Sequence, residues 1–336
     1  MIFSGDGGML LLPPPPPPPQ HHHYLDPGMI LHMPIPMTMP VHMPPPPPDQ
    51  FAFAAAAHRH RYHAPQPAGE IEVRDVWHWN LAGEMDAISA LLHTHPVVCI
   101  DTEFPGTVHD STTPRYQRGP HESYVLVRRN ADELKKLLQL GITLVGADGR
   151  PYPVVWQFNF RGFDVDLDPH GPASIAMLKA HGMDFDRLQH YGIDPDDFAD
   201  EFARSGLARR RPGQASLELT WVAFSGSYDF AYLAKVLRRG KRLPDKLDDF
   251  RNLMWKLFGP WVLDVKHIAK TDFGVCGGLD QVAAAFGVDR AAGRAHNAGS
   301  DSLLTADVLR AMLACYTPYD ADVRLTHGGA IDGLAV

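Results

Sequence analysis

The chain has 336 residues, a formal net charge of −8 and three cysteines, enough length for one large domain or two modest ones. The charge argues against a protein that coats nucleic acid by neutralising phosphates with Lys and Arg, but leaves room for an enzyme that holds its strand through metal ions. Cys99, Cys276 and Cys315 show no paired spacing, so neither a disulfide framework nor a zinc cage is expected, and a reducing compartment is. No signal-like segment and no apolar run near the ~18–20 residues of a membrane span are seen, and the expectation is a soluble, intracellular protein.

Residues 1–69 hold 18 of the 31 prolines, in runs at 13–19 and 44–48, together with His21-His22-His23. Such low complexity buries too little apolar surface to offset chain entropy, so a disordered tail is expected. From residue 70 the pattern becomes an alternation of strands and helices. Val97-Val98-Cys99-Ile100 reads as a buried strand that runs into Asp101-Thr102-Glu103-Phe104. Leu134 to Leu140 has helical spacing that stops at Gly141, and Ile142 to Val145 reads as a strand. Asp148-Gly149 makes a hairpin turn to the strand Val154 to Phe160.

Helices are expected over 173–180 and 196–205, with Arg209-Arg210-Arg211 in an exposed loop. A second buried strand, Leu219 to Phe224, precedes an amphipathic helix over 228–238. Trp261 to Asp264 is a short strand, and helices over 279–286 and 300–315 follow. Hairpin strands followed by strand–helix alternation imply an α/β domain with a mixed central sheet flanked by helices. The domain is expected over 70–320, with 321–336 a flexible C-terminal tail.

Side chains alternate along a strand, so Asp101 and Glu103 face the same way, with Cα atoms about 7 Å apart, and both can reach one ion. An isolated Asp-x-Glu is more often a solvated strand end. Here an apolar strand delivers the pair and Pro105-Gly106 ends it. Asp229 follows the second buried strand at the first turn of a helix, and Asp301 opens another; either alone fits a carboxylate placed against the helix macrodipole. The decisive residue is His296, five before Asp301. Gly299 permits a loop between them, which would set a flexible base beside a rigidly held ligand.

These residues sit in a run of ordered matches from about 74 to 315. They include Asp75-Val76-Trp77, Asp101 to Gly106, Gln139 to Leu144, Trp156 to Phe160, Tyr228-Asp229-Phe230, Asp264-Val265-Lys266 and Ala298 to Thr305. The sequence resembles the DEDD exonuclease superfamily, and within it the CCR-associated-factor deadenylases, catalytic subunits of the CCR–NOT complex. The resemblance implies an RNase H-like exonuclease fold. It also implies Asp101, Glu103, Asp229 and Asp301 as metal-site acids and His296 as general base. Asn297 stands where the superfamily's other branch has a Tyr four residues before the last Asp, which points to the histidine branch. One departure is visible: many relatives have His-Ser-Gly before Tyr-Asp-Phe, where this chain has Ser225-Gly226-Ser227.

Four converging carboxylates repel by roughly 4 kcal/mol per close pair at 4 Å and an effective dielectric of 20, so the cluster must take up protons or cations. All-oxygen ligation favours two divalent ions, Mg²⁺ or Mn²⁺. In the expected division of labour Asp101 bridges both ions, Glu103 and Asp301 complete the site that activates water, and Asp229 supports the second ion. His296 takes the proton, as suits an imidazole with an ordinary pKa near 6.5. Phe104 is a candidate to stack on the terminal base. Poly(A) preference, RNA as substrate, a large Not scaffold and a second deadenylase subunit as partners, and a place in cytoplasm and nucleus are implied by the resemblance alone. The competing expectations are another exonuclease of the same branch and a catalytically decayed nuclease kept as an adaptor on the Not scaffold.

Overall fold

A computed structural model describes residues 71–114, 117–208, 217–317 and 322–335. The expected N-terminal tail and the Arg209-Arg210-Arg211 loop lie outside these residues. The described chain builds one six-stranded sheet from β1 (Glu72–Val76), β2 (Val97–Glu103), β3 (Gln139–Val145), β4 (Pro151–Asn159), β5 (Thr220–Ala223) and β6 (Val262–Asp264). Its order is β1-β4-β3-β2-β5-β6. β2, β3 and β4 form an antiparallel meander, while β1, β5 and β6 join in parallel on either side. The sheet is therefore mixed, as the alternation of elements implies.

Helices cover both faces, and β2 shows why its sequence is apolar throughout. Val98 and Ile100 pack into one cluster with α1 (Leu81–Leu91), α2 (Pro120–Leu134), α5 (Pro195–Ser205), α6 (Ser227–Leu237) and α7 (Leu247–Phe258). Cys99 joins the opposite cluster with α8 (Val265–Asp272), α9 (Leu279–Ala285) and α10 (Ala298–Leu313). A strand buried on both sides loses the polar half of its alternation. By the same period of two, Asp101 and Glu103 share the face of Cys99, the side on which α10 lies. A third cluster, around Trp77, Phe163 and Leu178, ties α3 (Pro172–Ala180) and α4 (Phe185–Tyr191) to the sheet's edge.

Three sequence expectations need correction. The helix expected over 134–140 is instead the last residue of α2, a link, and the start of β3. Pro120 opens α2 at its first turn, and Lys135 closes it at φ 59°, so the apolar positions 134, 137, 138 and 140 straddle two elements. Gly141 is thus no helix stop but a mid-strand residue. The expected flexible tail at 321–336 is packed over its described part: α11 (Val323–His327) forms, and Ile331 and Leu334 are buried in the first core cluster. A short segment with only two or three apolar anchors carries too little periodicity to be seen.

Candidate active site

The C-terminal end of β2 builds the centre of the site. Asp101 lies opposite Gly141 and Glu103 opposite Gln139 in the β2–β3 ladder. Gly141 has a specific use: a Cβ there would sit 1.9 Å from the carbonyl oxygen of Ala298. Only glycine lets the first turn of α10 press onto the sheet directly beside Asp101. Gly299 continues the fit, its N–H donating to Gln157 Oε1 at 3.2 Å. It is the second residue of α10 rather than the loop glycine the sequence suggests.

Asp229 and Asp301 both sit in first turns, of α6 and α10 respectively, where the positive end of the helix dipole partly offsets a carboxylate's charge. Asp229 Oδ1 accepts two hydrogen bonds from Thr102, from its N–H at 2.8 Å and its hydroxyl at 2.7 Å. The turn that leads into α6 is held by Asp264, which is fully buried. Its carboxylate accepts from the N–H groups of Ser225, Gly226, Lys266, His267 and Asp332. Ser225, in the segment that departs from the family pattern, takes φ 58°.

Asp301 is held from two sides. Arg290 Nη1 donates to Oδ1 at 2.5 Å and the backbone N–H of His296 donates to Oδ2 at 3.0 Å. The same guanidinium reaches Ser300 Oγ at 2.7 Å and Asp280 at 2.9 Å. Arg290 therefore ties α9, the loop carrying His296 and the start of α10 to one another. His296 itself is exposed and takes φ 60°, a left-handed backbone that histidine adopts more readily than most side chains. One ligand atom from each of Glu103, His296 and Asp301 lies within 4.8 Å of the others.

The electrostatics show how close the acids are. Part of Asp101's surface is open, but its carboxyl group is enclosed. Burial, then the charges of Asp229, Asp301 and Glu103, drive its pKa well above the carboxylate range, with Arg290 working in the opposite direction. Burial and the Asp301 and Asp229 charges push Glu103 up to about 8. Burial pushes Asp229 to about 7 against the two Thr102 hydrogen bonds. Asp301 is also raised by burial, with Arg290 restraining the rise. Four acids from three separate stretches of the sequence thus meet in one pocket of negative charge, with His296 alongside. The donor set, carboxylate oxygens plus one imidazole, fits hard divalent cations. Gln139 Oε1, across the ladder from Glu103, is buried with no hydrogen-bond donor among the described residues.

Phe104 stacks on Tyr228 and Tyr232, with centroids 5.1 and 4.8 Å away. It packs against the core, and a ring engaged by two tyrosines offers little face to an incoming base. A basic run, Arg238-Arg239-Gly240-Lys241-Arg242, lies at the far end of α6 from Asp229, and Arg239 is paired there with Asp196 and Asp200. Sequence reasoning missed Thr102, Arg290 and Asp264. Local spacing makes Gly141 a helix stop; its place inside a β-rich run, where a glycine signals close backbone approach, is the signal that could have corrected it.

The mixed sheet, with acids at the end of its central strand and at two helix starts, defines an RNase H-like nuclease domain. The CAF1 family ribonuclease domain matches residues 76–209. The poly(A) ribonuclease pop2 of Schizosaccharomyces pombe is 36% identical over 258 residues, covering 76% of this chain and 73% of that protein. A probable CCR4-associated factor 1 homolog 10 of Arabidopsis thaliana is 35% identical, covering 79% of this chain and 93% of that one. A structure of S. pombe Pop2p in its Mg²⁺- and Mn²⁺-bound form superposes with a TM-score of 0.69 at 35% identity, over 78% of this chain and 99% of that one. A structure of the yeast NOT1 MIF4G domain co-crystallised with CAF1 gives 0.62 at 25% identity, covering 80% and 100%. The chain belongs to the CAF1 ribonuclease family.

Proposed function

We propose that this protein is a poly(A)-specific 3′–5′ exoribonuclease that shortens messenger-RNA tails, releasing 5′-AMP. The observation that carries the reading is the convergence of Asp101, Glu103, Asp229 and Asp301 with His296 beside them, in a chain related to a poly(A) ribonuclease. When bound, two divalent ions, Mg²⁺ or Mn²⁺, would polarise the attacking water and the leaving 3′ oxygen. The metal-bound form of the Pop2p relative supports that choice of ions.

Asp101, between the other acids, would hold both ions, Glu103 and Asp301 the first, and Asp229 the second. Thr102 and Arg290 keep two of these carboxylates fixed in the absence of cations. His296 accepts the proton of the attacking water as its oxygen bonds to phosphorus. The bond from phosphorus to the 3′ oxygen breaks, and that oxygen takes a proton from solvent. The structure of yeast NOT1 with CAF1 supports assembly on a large Not scaffold; a second deadenylase subunit in the same CCR–NOT complex and a place in cytoplasm and nucleus are part of the proposal on the family resemblance alone.

The test is a time course on 5′-labelled oligo(A), oligo(U), oligo(C) and single-stranded DNA, with and without EDTA. The expected result is a ladder of shortened oligo(A), lost on chelation. Absence of trimming in Mg²⁺ or Mn²⁺ overturns the enzyme. Equal rates on all four substrates overturn the poly(A) preference.

A further inference from the structure

The imidazole of His296 meets a second imidazole. The rings of His181 and His296 lie 4.6 Å apart between centroids at an interplanar angle of 77°, one edge against the other's face. The two residues stand on very different supports. His181 closes α3, its backbone N–H returning to the carbonyls of the last turn. Its Nδ1 lies 2.8 Å from the carbonyl oxygen of Met177. A carbonyl only accepts, so Nδ1 carries the hydrogen and the ring is pinned to its own helix. Just before and after it, Leu178 and Phe185 anchor this corner in the third core cluster.

His296 has no such anchorage. Its backbone N–H is fixed to Asp301, but among the described residues its ring makes no hydrogen bond, and the residue is exposed on a loop with left-handed backbone. Two rotatable bonds separate that ring from its tethered backbone, and staggered wells alone would leave it several orientations. Among the described residues the ring packs edge to face on His181, with the carboxylates of Glu103 and Asp301 on its other approach. The same loop comes down on the end of α3 elsewhere too, with Arg294 Nη1 3.8 Å from where a Cβ would stand on Gly182.

We propose that His181 is a positioning residue that fixes the His296 ring for proton transfer, acting through ring packing from the rigid end of α3. The inference rests on His296 being the base of the exonuclease. General-base catalysis needs the accepting nitrogen within hydrogen-bond reach of the water, and a misplacement of about 1 Å can cost on the order of 10²-fold in rate.

The experiment compares wild type, His181→Ala and His181→Phe in the full chain. Trimming kinetics on oligo(A) are measured at saturating Mg²⁺, and the His296 ring-proton resonances are followed by NMR after assignment with a His296→Asn variant. In His181→Ala, kcat is expected to fall by about 10- to 100-fold with KM nearly unchanged, and the His296 resonances to lose the ring-current shift of the neighbouring ring. In His181→Phe, which keeps an aromatic edge and face but no nitrogen, most of kcat should return. Wild-type kcat in the alanine variant, a phenylalanine variant as slow as alanine, or His296 resonances indifferent to position 181 would each overturn the proposal. Wild type that trims no RNA would instead defeat the exonuclease reading, and the resonances would still decide whether His181 holds the ring.

Discussion

Thr102 gives both its backbone N–H and its hydroxyl to a single oxygen of Asp229, at 2.8 and 2.7 Å. The strand that carries Asp101 and Glu103 on one face thus uses the residue between them to secure a third acid. A hydrogen bond to a charged group is worth about 1.5–3 kcal/mol. Thr102→Val keeps the shape and the backbone donor but deletes the hydroxyl. We expect the fold to survive, trimming to slow by about tenfold, and the Mn²⁺ concentration for half-maximal activity to rise, since one carboxylate loses its orientation. An unchanged metal titration would contradict this.

Gly141 is a second test of how the site is held. A methyl group there meets the Ala298 carbonyl at 1.9 Å, and neither strand nor helix start can retreat without moving Asp101 or Asp301. Gly141→Ala should destabilise by about 3 kcal/mol or more, the upper end of overpacking costs, and abolish activity in whatever folds. Gly83, inside α1 with nothing within 4 Å of an added Cβ, is the control. Gly83→Ala should stabilise by roughly 0.5–1 kcal/mol. Urea unfolding of the two variants measures both signs, and a mild Gly141→Ala would show that α10 is not locked to the sheet.

The acids themselves trade stability for chemistry. Asp101 is enclosed with three like charges around it. Asp101→Asn keeps size and hydrogen-bonding capacity but removes the repulsion. Activity should vanish, while the metal-free protein at pH 8 gains about 0.5–2 kcal/mol, as is common when a strained site is relieved. Glu103→Ala and Asp301→Ala should likewise lose RNA trimming with the fold intact. Normal Mg²⁺-dependent trimming by any of these variants would remove that residue from the site.

How much of this was legible follows from the kind of signal each residue leaves. Buried strands β2 and β5 are visible because two-sided burial makes a continuous apolar run, and an acid directly after such a run stands out. That placed Asp101, Glu103 and Asp229, and the spacing of His296 to Asp301 drew attention to α10. Arg290, Thr102 and His181 left no such mark, and Asp264, though it ends a short apolar strand inside a matched stretch, gave no sign that it holds the turn before Asp229. Their importance lies in contacts with residues 11 to 127 positions away, and nothing local distinguishes an arginine that clamps an aspartate from one that is solvated. α2 was misplaced for a related reason, because its helical apolar spacing runs on without a break into the link before β3.

Metal-free protein should show an unusual dependence of stability on pH. An unfolded Asp or Glu titrates near pH 4, whereas folded Glu103 sits at about 8 and Asp229 at about 7. Between these limits the folded chain binds more protons than the unfolded one, so stability falls as pH rises. The thermal midpoint in EDTA should therefore decline across pH 5 to 8, by on the order of several degrees. Below pH 5 the trend should turn, because surface acids held low by partners, such as Asp194 with Arg161 and Asp322 with Arg324, lose their stabilisation on protonation. Divalent cations supply the positive charge that protons otherwise provide. With Mn²⁺ in excess the midpoint should rise most at pH 8, and the decline should flatten. Calorimetric scans at four pH values, each in EDTA and in Mn²⁺, make the comparison. A metal-free midpoint that climbs toward pH 8, or a slope that Mn²⁺ leaves untouched, would mean that the four carboxylates do not share one charge-balanced site.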